Sequence, residues 1–329
     1  MNLQRPRKFI VLVIVTLFMI SPFLITTTTS QTPPTDLSSM SIALYYGSST
    51  STNSRTSMQF MFSWMNASVD VLYASDISDG DLSDYDMIAV PGGWAGTYNV
   101  DLAGTGITEI RNFVRDGGAF FGVCAGAYFG CDKLLWEGGV LEYPLNLFEG
   151  FGIGPVEEIA AWPNRAMTEI IINQTSPLID LSGEPVNHTV MYFGGPWFDI
   201  AGKEGIHSLA TYAANNESAM IAFEYEDGRV FLSGPHPEAE EDSDRDNVVG
   251  WDNAFDDFGS EWDMMLKVSL WLLENSGSET TSPTNNSGSE RTSPTSTNPE
   301  EPFNLNPIVI IGGISFGTII IALVLIKRP

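Results

Sequence analysis

Residues 117–128 read Gly117-Gly118-Ala119-Phe120-Phe121-Gly122-Val123-Cys124-Ala125-Gly126-Ala127-Tyr128. The run at 119–123 is continuously apolar rather than alternating, the pattern of a strand buried on both faces within a parallel sheet. A cysteine between two near glycines follows, and Ala127-Tyr128 then reads as the start of a helix. The segment therefore has the strand, sharp turn and helix order of a nucleophile elbow. Upstream, residues 87–90 form a second continuous apolar run that ends in Pro91-Gly92-Gly93-Trp94. Between the two runs, Ile107, Ile110, Phe113 and Val114 recur at helical spacing, Arg111 and Arg115 fall on the opposite face, and Gly117 supplies the stop. A strand at 41–46, a helix at 58–65 and a strand at 69–73 repeat the order. This predicts an α/β domain with a doubly wound sheet. Downstream, apolar strands at 219–224 and 229–233 flank Asp227-Gly228, a hairpin signal, and Trp262, Met265, Leu266, Leu270 and Leu273 mark one stripe of a closing amphipathic helix.

At such an elbow the glycines allow a turn too tight for side chains. A helix starting there would aim N–H groups at the Cys124 sulfur and favour its thiolate. A cysteine nucleophile works with an imidazole, and the chain has three histidines. His188 lies in a glycosylation sequon and His207 opens a strand. His236 sits in Ser233-Gly234-Pro235-His236-Pro237-Glu238, just past the hairpin's return strand, where side chains emerge at a sheet edge. Residues two apart in an extended segment share a face, so Glu238 can hold the His236 ring by a hydrogen bond. The N–H groups of Gly93 and Ala125 are candidates for stabilising an oxyanion. A disulfide between Cys124 and Cys131 is disfavoured. Seven helical positions separate their Cα atoms by about 10 Å along the axis, whereas bridged pairs rarely exceed about 7 Å. Cys131 is expected inside that helix as an ordinary or buried thiol.

Four motifs run in order along the chain: Val90-Pro91-Gly92-Gly93, the elbow stretch, Tyr192-Phe193-Gly194-Gly195-Pro196-Trp197-Phe198, and Ser233-Gly234-Pro235-His236-Pro237-Glu238. Together they resemble the amidotransferase-like N-terminal region of biotin-protein ligases, a family related to the class I glutamine amidotransferases. The resemblance implies a flavodoxin-like three-layer fold and places the family's Cys, His and Glu triad on Cys124, His236 and Glu238. It also implies a substrate pocket lined by Trp94, Tyr128, Gly194, Gly195 and Trp197. Glutaminases of the wider superfamily carry His-Gln shortly after the nucleophile, where this chain has Ala127-Tyr128, so glutamine hydrolysis is not expected. The biotinyl-adenylate motif Gly-Arg-Gly-Arg does not follow, so the chain is not expected to be a biotin ligase. The expected activity is that of a cysteine hydrolase or acyl transferase acting on an amide or ester of a small molecule or peptide. The alternative is a binding module that keeps the fold and pocket without turnover. No cofactor or metal is implied.

Around this core, 329 residues with 43% hydrophobic and 17% charged content exclude a disordered chain, and two cysteines exclude a disulfide framework. The net charge is −26, from 15 basic and 41 acidic residues. Arg5, Arg7, Lys8, Lys327 and Arg328 flank apolar runs at the two ends, which leaves 10 basic against 41 acidic residues in the body, a net of −31. Such a surface repels nucleic acid. The run at 9–25 predicts a signal peptide or N-terminal anchor over 1–30, and the run at 308–326 a membrane helix over 307–326 with a cytoplasmic tail at 327–329. Residues 276–306, rich in Ser, Thr, Pro, Asn and Glu, predict a flexible stalk. The basic flanks put the 40–275 domain outside the membrane. Asn66, Asn173, Asn187, Asn216 and Asn285 head sequons, as in an exterior glycoprotein. Asp242-Ser243-Asp244-Arg245-Asp246 opens like a calcium loop but lacks the glycine and glutamate of an EF-hand, and reads as a solvated face. Trp251, Phe255, Phe258 and Trp262 are expected to anchor this acidic segment to the core.

Overall fold

A computed structural model describes residues 35–240, 248 and 260–274. The terminal apolar runs, the stalk, the calcium-like loop, and Trp251, Phe255 and Phe258 lie outside these residues. No helix among the described residues is long and apolar enough to cross a membrane.

The first half alternates strand and helix: β1 (Ser41–Tyr45), α1 (Thr52–Trp64), β2 (Ser68–Leu72), α2 (Ala74–Asp79), β3 (Met87–Val90), α3 (Ala95–Asp101), α4 (Thr105–Arg115) and β4 (Ala119–Val123). After α5 (Ala125–Gly130) the chain is mostly strand. There follow β5 (Cys131–Trp136), β6 (Gly139–Glu142), β7 (Phe148–Gly154), β8 (Ala166–Ile172), β9 (Asn187–Tyr192), β10 (Trp197–Phe198), β11 (His207–Tyr212), β12 (Ser218–Tyr225) and β13 (Gly228–Ser233), and α6 (Trp262–Leu273) closes the described chain.

The strands form one mixed sheet in the order β2-β1-β3-β4-β13-β12-β10-β7-β5-β6, with β11, β8 and β9 branching from β12. From β2 to β13 every pairing is parallel. Side chains alternate across this half, as the two-residue period of a strand requires. Ile42, Leu44, Met87, Ala89, Phe121 and Val123 pack into one core with α1 and α6, while Ala43, Tyr45, Ile88, Val90 and Phe120 pack into another with α3, α4 and α5. Both faces are thus covered by helices, which explains the continuous apolar runs. The predicted strands at 87–90 and 119–123 and the hairpin at Asp227-Gly228 agree with the structure.

Three readings need correction. The α1 helix starts at Thr52, six residues before its apolar pattern, because Ser51 caps it and its polar first turn buries Ser54. The α5 helix ends after six residues, so Cys131 opens a strand rather than lying in a helix. In α6 the residues turned fully inward include Met264, Val268, Trp271 and Leu272, while the predicted stripe residues Leu266 and Leu270 are only partly buried. That helix is apolar nearly all round, so spacing alone did not choose its face. The expected anchor Trp262 is buried.

Candidate active site

The parallel register sets the site. Strand β13 pairs with β4 so that Ser233 stands beside Val123, and the Cys124 N–H donates to the Ser233 carbonyl at 2.8 Å. The two loops that leave these strands therefore emerge side by side. Cys124 itself sits at φ 51° and ψ −104°, a backbone conformation costly for any residue with a Cβ and characteristic of functional positions. Gly126 allows the turn to close, since a Cβ there would lie 2.0 Å from the Val90 carbonyl oxygen. The α5 helix that follows spans less than two turns, so its dipole is a weaker influence on the sulfur than the sequence suggested.

His236 lies against Cys124, and Glu238 lies against the far side of His236. The His236 backbone N–H donates to the Met191 carbonyl at 2.8 Å, which ties this loop to the end of β9. His236 Nδ1 lies 2.8 Å from Glu238 Oε1, both side chains being buried. Burial alone would hold the ring neutral. The Glu238 carboxylate and the Cys124 sulfur, each also hydrogen-bonded to the ring, outweigh burial and push the His236 pKa up to about 10. The same Glu238 oxygen accepts from Ser54 Oγ at 2.6 Å, and Ser54 Oγ accepts from the Gly92 N–H at 2.8 Å. The Trp262 indole N–H donates to the Glu238 carbonyl at 3.1 Å. Ser54 and His236 thus hold the Glu238 carboxylate, while Trp262 holds its backbone. Ser54 was missed because an isolated serine in the first turn of a helix carries no pattern.

The Cys124 sulfur lies 3.4 Å from the Phe193 carbonyl. Three buried tyrosines hold the segment after it. Tyr128 donates to the Gly194 carbonyl at 3.2 Å, Tyr192 to Gly195 at 2.9 Å and Tyr212 to Pro196 at 3.0 Å. Burial pushes all three hydroxyls up, so they stay protonated donors.

Above the sulfur opens a pocket of about 130 Å³. Trp94, Tyr128 and Gly194 of the expected pocket residues line it, together with Gly93, Ala125 and His236. Gly195 and Trp197 are not among the lining residues. Gly195 backs onto the Gly234 backbone, and Trp197 packs against the core beneath the sheet. Trp136, Trp162, Phe193 and Tyr143 line it unforeseen. Of the other cysteine and histidines, Cys131 donates to the Ala127 carbonyl at 3.3 Å, and burial, with Asp132 adding to it, pushes its thiol up. Both cysteines are free. His188 pairs with Glu184 and Glu261 away from the pocket. Among the described residues no group of His, Cys, Asp and Glu is arranged to hold a metal.

A mixed sheet with this elbow, its parallel half covered by helices on both faces, defines an α/β domain. More narrowly, the chain belongs to the biotin-protein ligase N-terminal family, whose pattern matches residues 40–258. It is 31% identical over 162 residues to an uncharacterized protein of Chlamydia muridarum, covering 46% of this chain and 60% of that one. It is 28% identical over 165 residues to a biotin–protein ligase of Schizosaccharomyces pombe, covering 46% of this chain and 25% of the ligase. The matches thus span less than two thirds of either relative. Among solved structures, a glutamine amidotransferase aligns at a TM-score of 0.48 and 16% identity, over 70% of this chain and 98% of that one.

Proposed function

We propose that this domain is a cysteine hydrolase or acyl transferase for an amide- or ester-type bond, with Cys124 as nucleophile, His236 as proton carrier and Glu238 as the group that orients it. The observation that carries the reading is the contact of Cys124 with a buried, Glu238-held His236 at the floor of a pocket. In this reading the thiolate attacks the carbonyl carbon and an Sγ–C bond forms, while the Gly93 and Ala125 N–H groups receive the developing oxyanion. The imidazolium gives its proton to the leaving amine or alcohol as the carbon–leaving-group bond breaks. Water, or another acceptor, then attacks the thioester, passes a proton to His236 and releases the acid or new acyl product, which restores the thiolate. The parallel half of the sheet supports a flavodoxin-like, doubly wound ancestry, and Ala127-Tyr128 argues against glutamine as substrate. The terminal apolar runs and the stalk support display of the domain outside a membrane, with no role in binding nucleic acid.

Alkylation followed by mass spectrometry tests the nucleophile. At pH 6, iodoacetamide should label Cys124 well ahead of Cys131, and His236→Ala should remove most of that lead. Equal, slow labelling of both cysteines, or labelling of Cys124 indifferent to His236, refutes the enzyme and favours a binding module.

A further inference from the structure

The wall of the Cys124 pocket is aromatic, and its rings come from segments far apart in the chain. Trp94 follows β3, Trp136 ends β5, Trp162 lies between β7 and β8, and Phe193 follows β9. The ring of Trp136 lies 6.0 Å from that of Trp94 and 5.5 Å from that of Trp162, in edge-to-face pairs, and Trp162 stacks on Phe193 at 5.0 Å. Such pairs fix one another's orientation, so the wall is preformed. Leu134 and Leu141 of the β5–β6 hairpin also line the pocket, and the half-exposed Trp94 marks its mouth.

Among the described residues the lining contains no Asp, Glu, Lys or Arg. Its ionisable side chains are Cys124, His236, Tyr128 and Tyr143, and the Tyr128 hydroxyl is already committed to the Gly194 carbonyl. A charged group entering this pocket would lose its hydration with no counter-charge outside the Cys124–His236 pair. A cation would gain from the aromatic faces, yet no carboxylate of the described residues stands in the lining to balance it. A pocket of about 130 Å³ matches the room needed by one small ring, since an apolar cavity of about 150 Å³ takes up benzene.

Building on the acyl chemistry proposed above, we infer that the pocket receives a neutral aromatic or compact apolar group of the substrate, no larger than a single ring, next to the bond that Cys124 attacks. The preference lies in the wall and not in the nucleophile. Trp136 and Trp162 set it by their faces and Leu141 by its position on the exposed edge strand.

The test separates the wall from the chemistry by measuring binding to an unreactive Cys124→Ser form of the full-length chain in detergent. Tryptophan fluorescence would follow titration with N-benzylacetamide, N-acetylglycine and N-(2-trimethylammonioethyl)acetamide. The benzyl compound should bind at least tenfold more tightly than either charged one. Trp136→Phe and Trp162→Phe, which keep an apolar ring and spare the fold, should each remove part of the fluorescence response. Leu141→Lys, at an exposed position, should narrow the preference over N-acetylglycine to threefold or less. Equal affinities, tighter binding of either charged compound, or no saturable response to any of them overturns the inference. Iodoacetamide labelling of the wild-type chain reports the nucleophile separately. Benzyl preference without labelling keeps the pocket and sinks the hydrolase, and labelling without preference does the reverse.

Discussion

Replacing Ser54 by alanine probes the tie between α1 and the site. The Ser54 hydroxyl is fully buried, donates to Glu238 Oε1 at 2.6 Å and accepts from the Gly92 N–H at 2.8 Å. A buried hydrogen bond to a charged partner contributes about 1.5–3 kcal/mol, and a backbone N–H left without an acceptor costs about 1–3 kcal/mol. The two overlap, because Gly92 can shift slightly once the hydroxyl is gone, so the expected loss is about 2–4 kcal/mol. A domain stabilised by about 5–15 kcal/mol survives this, with a melting temperature lower by roughly 5–15 °C. The carboxylate that orients His236 would also lose one of its two side-chain partners. If about 1–2 kcal/mol of the loss falls on the aligned form of the pair, Cys124 alkylation slows by about 5- to 30-fold. Urea unfolding gives the first quantity and iodoacetamide labelling the second. Stability within about 0.5 kcal/mol of wild type would refute the buried bridge, since that is the scale of a neutral surface change. A destabilised chain that labels at the wild-type rate would make Ser54 a structural tie with no part in positioning the triad.

Three further outcomes are expected. With its pKa at about 10, the His236 ring should remain imidazolium at pH 8 by NMR, and Glu238→Gln should lower its midpoint by at least a unit, whereas a wild-type midpoint near 6.5 contradicts the assignment. Because the folded value is the higher one, the ring's contribution to stability is complete below about pH 6.5 and is lost as pH rises through about 10. Gly92→Ala would place a Cβ 2.7 Å from His236 Cε1 and should slow Cys124 labelling tenfold or more, whereas Gly183→Ala, with its nearest neighbour 3.7 Å away, should leave the rate unchanged, and equal rates in the two would clear Gly92 of any part in seating the ring. Protease added to intact cells should cut within 276–306 and release a folded body, and protection of the whole chain until lysis would refute exterior display.

Local pattern was enough wherever one element carries the whole signal. The continuous apolar runs of β3 and β4, short and bounded by glycine or proline, read as strands covered on both faces, and a cysteine near glycines after such a strand reads as a turn. His236 and Glu238 were paired correctly because a two-residue spacing in an extended loop puts both on one side without help from the rest of the chain. Folding alone decided everything that depends on long-range contact. Ser54 meets Glu238 across 184 positions, and Trp94, Trp136 and Trp162 meet over Cys124 from three segments with no common motif. The extent of α5 and the strand role of Cys131 were hidden because small and apolar residues suit helix and strand alike, and pairing with β7 settles the matter. The inward face of α6 was hidden for the related reason that a helix apolar on every side takes its orientation from the sheet it covers. A periodic pattern reports which face of an element is buried, whereas a pocket is made where several elements end, and their ends meet only through the register of the sheet.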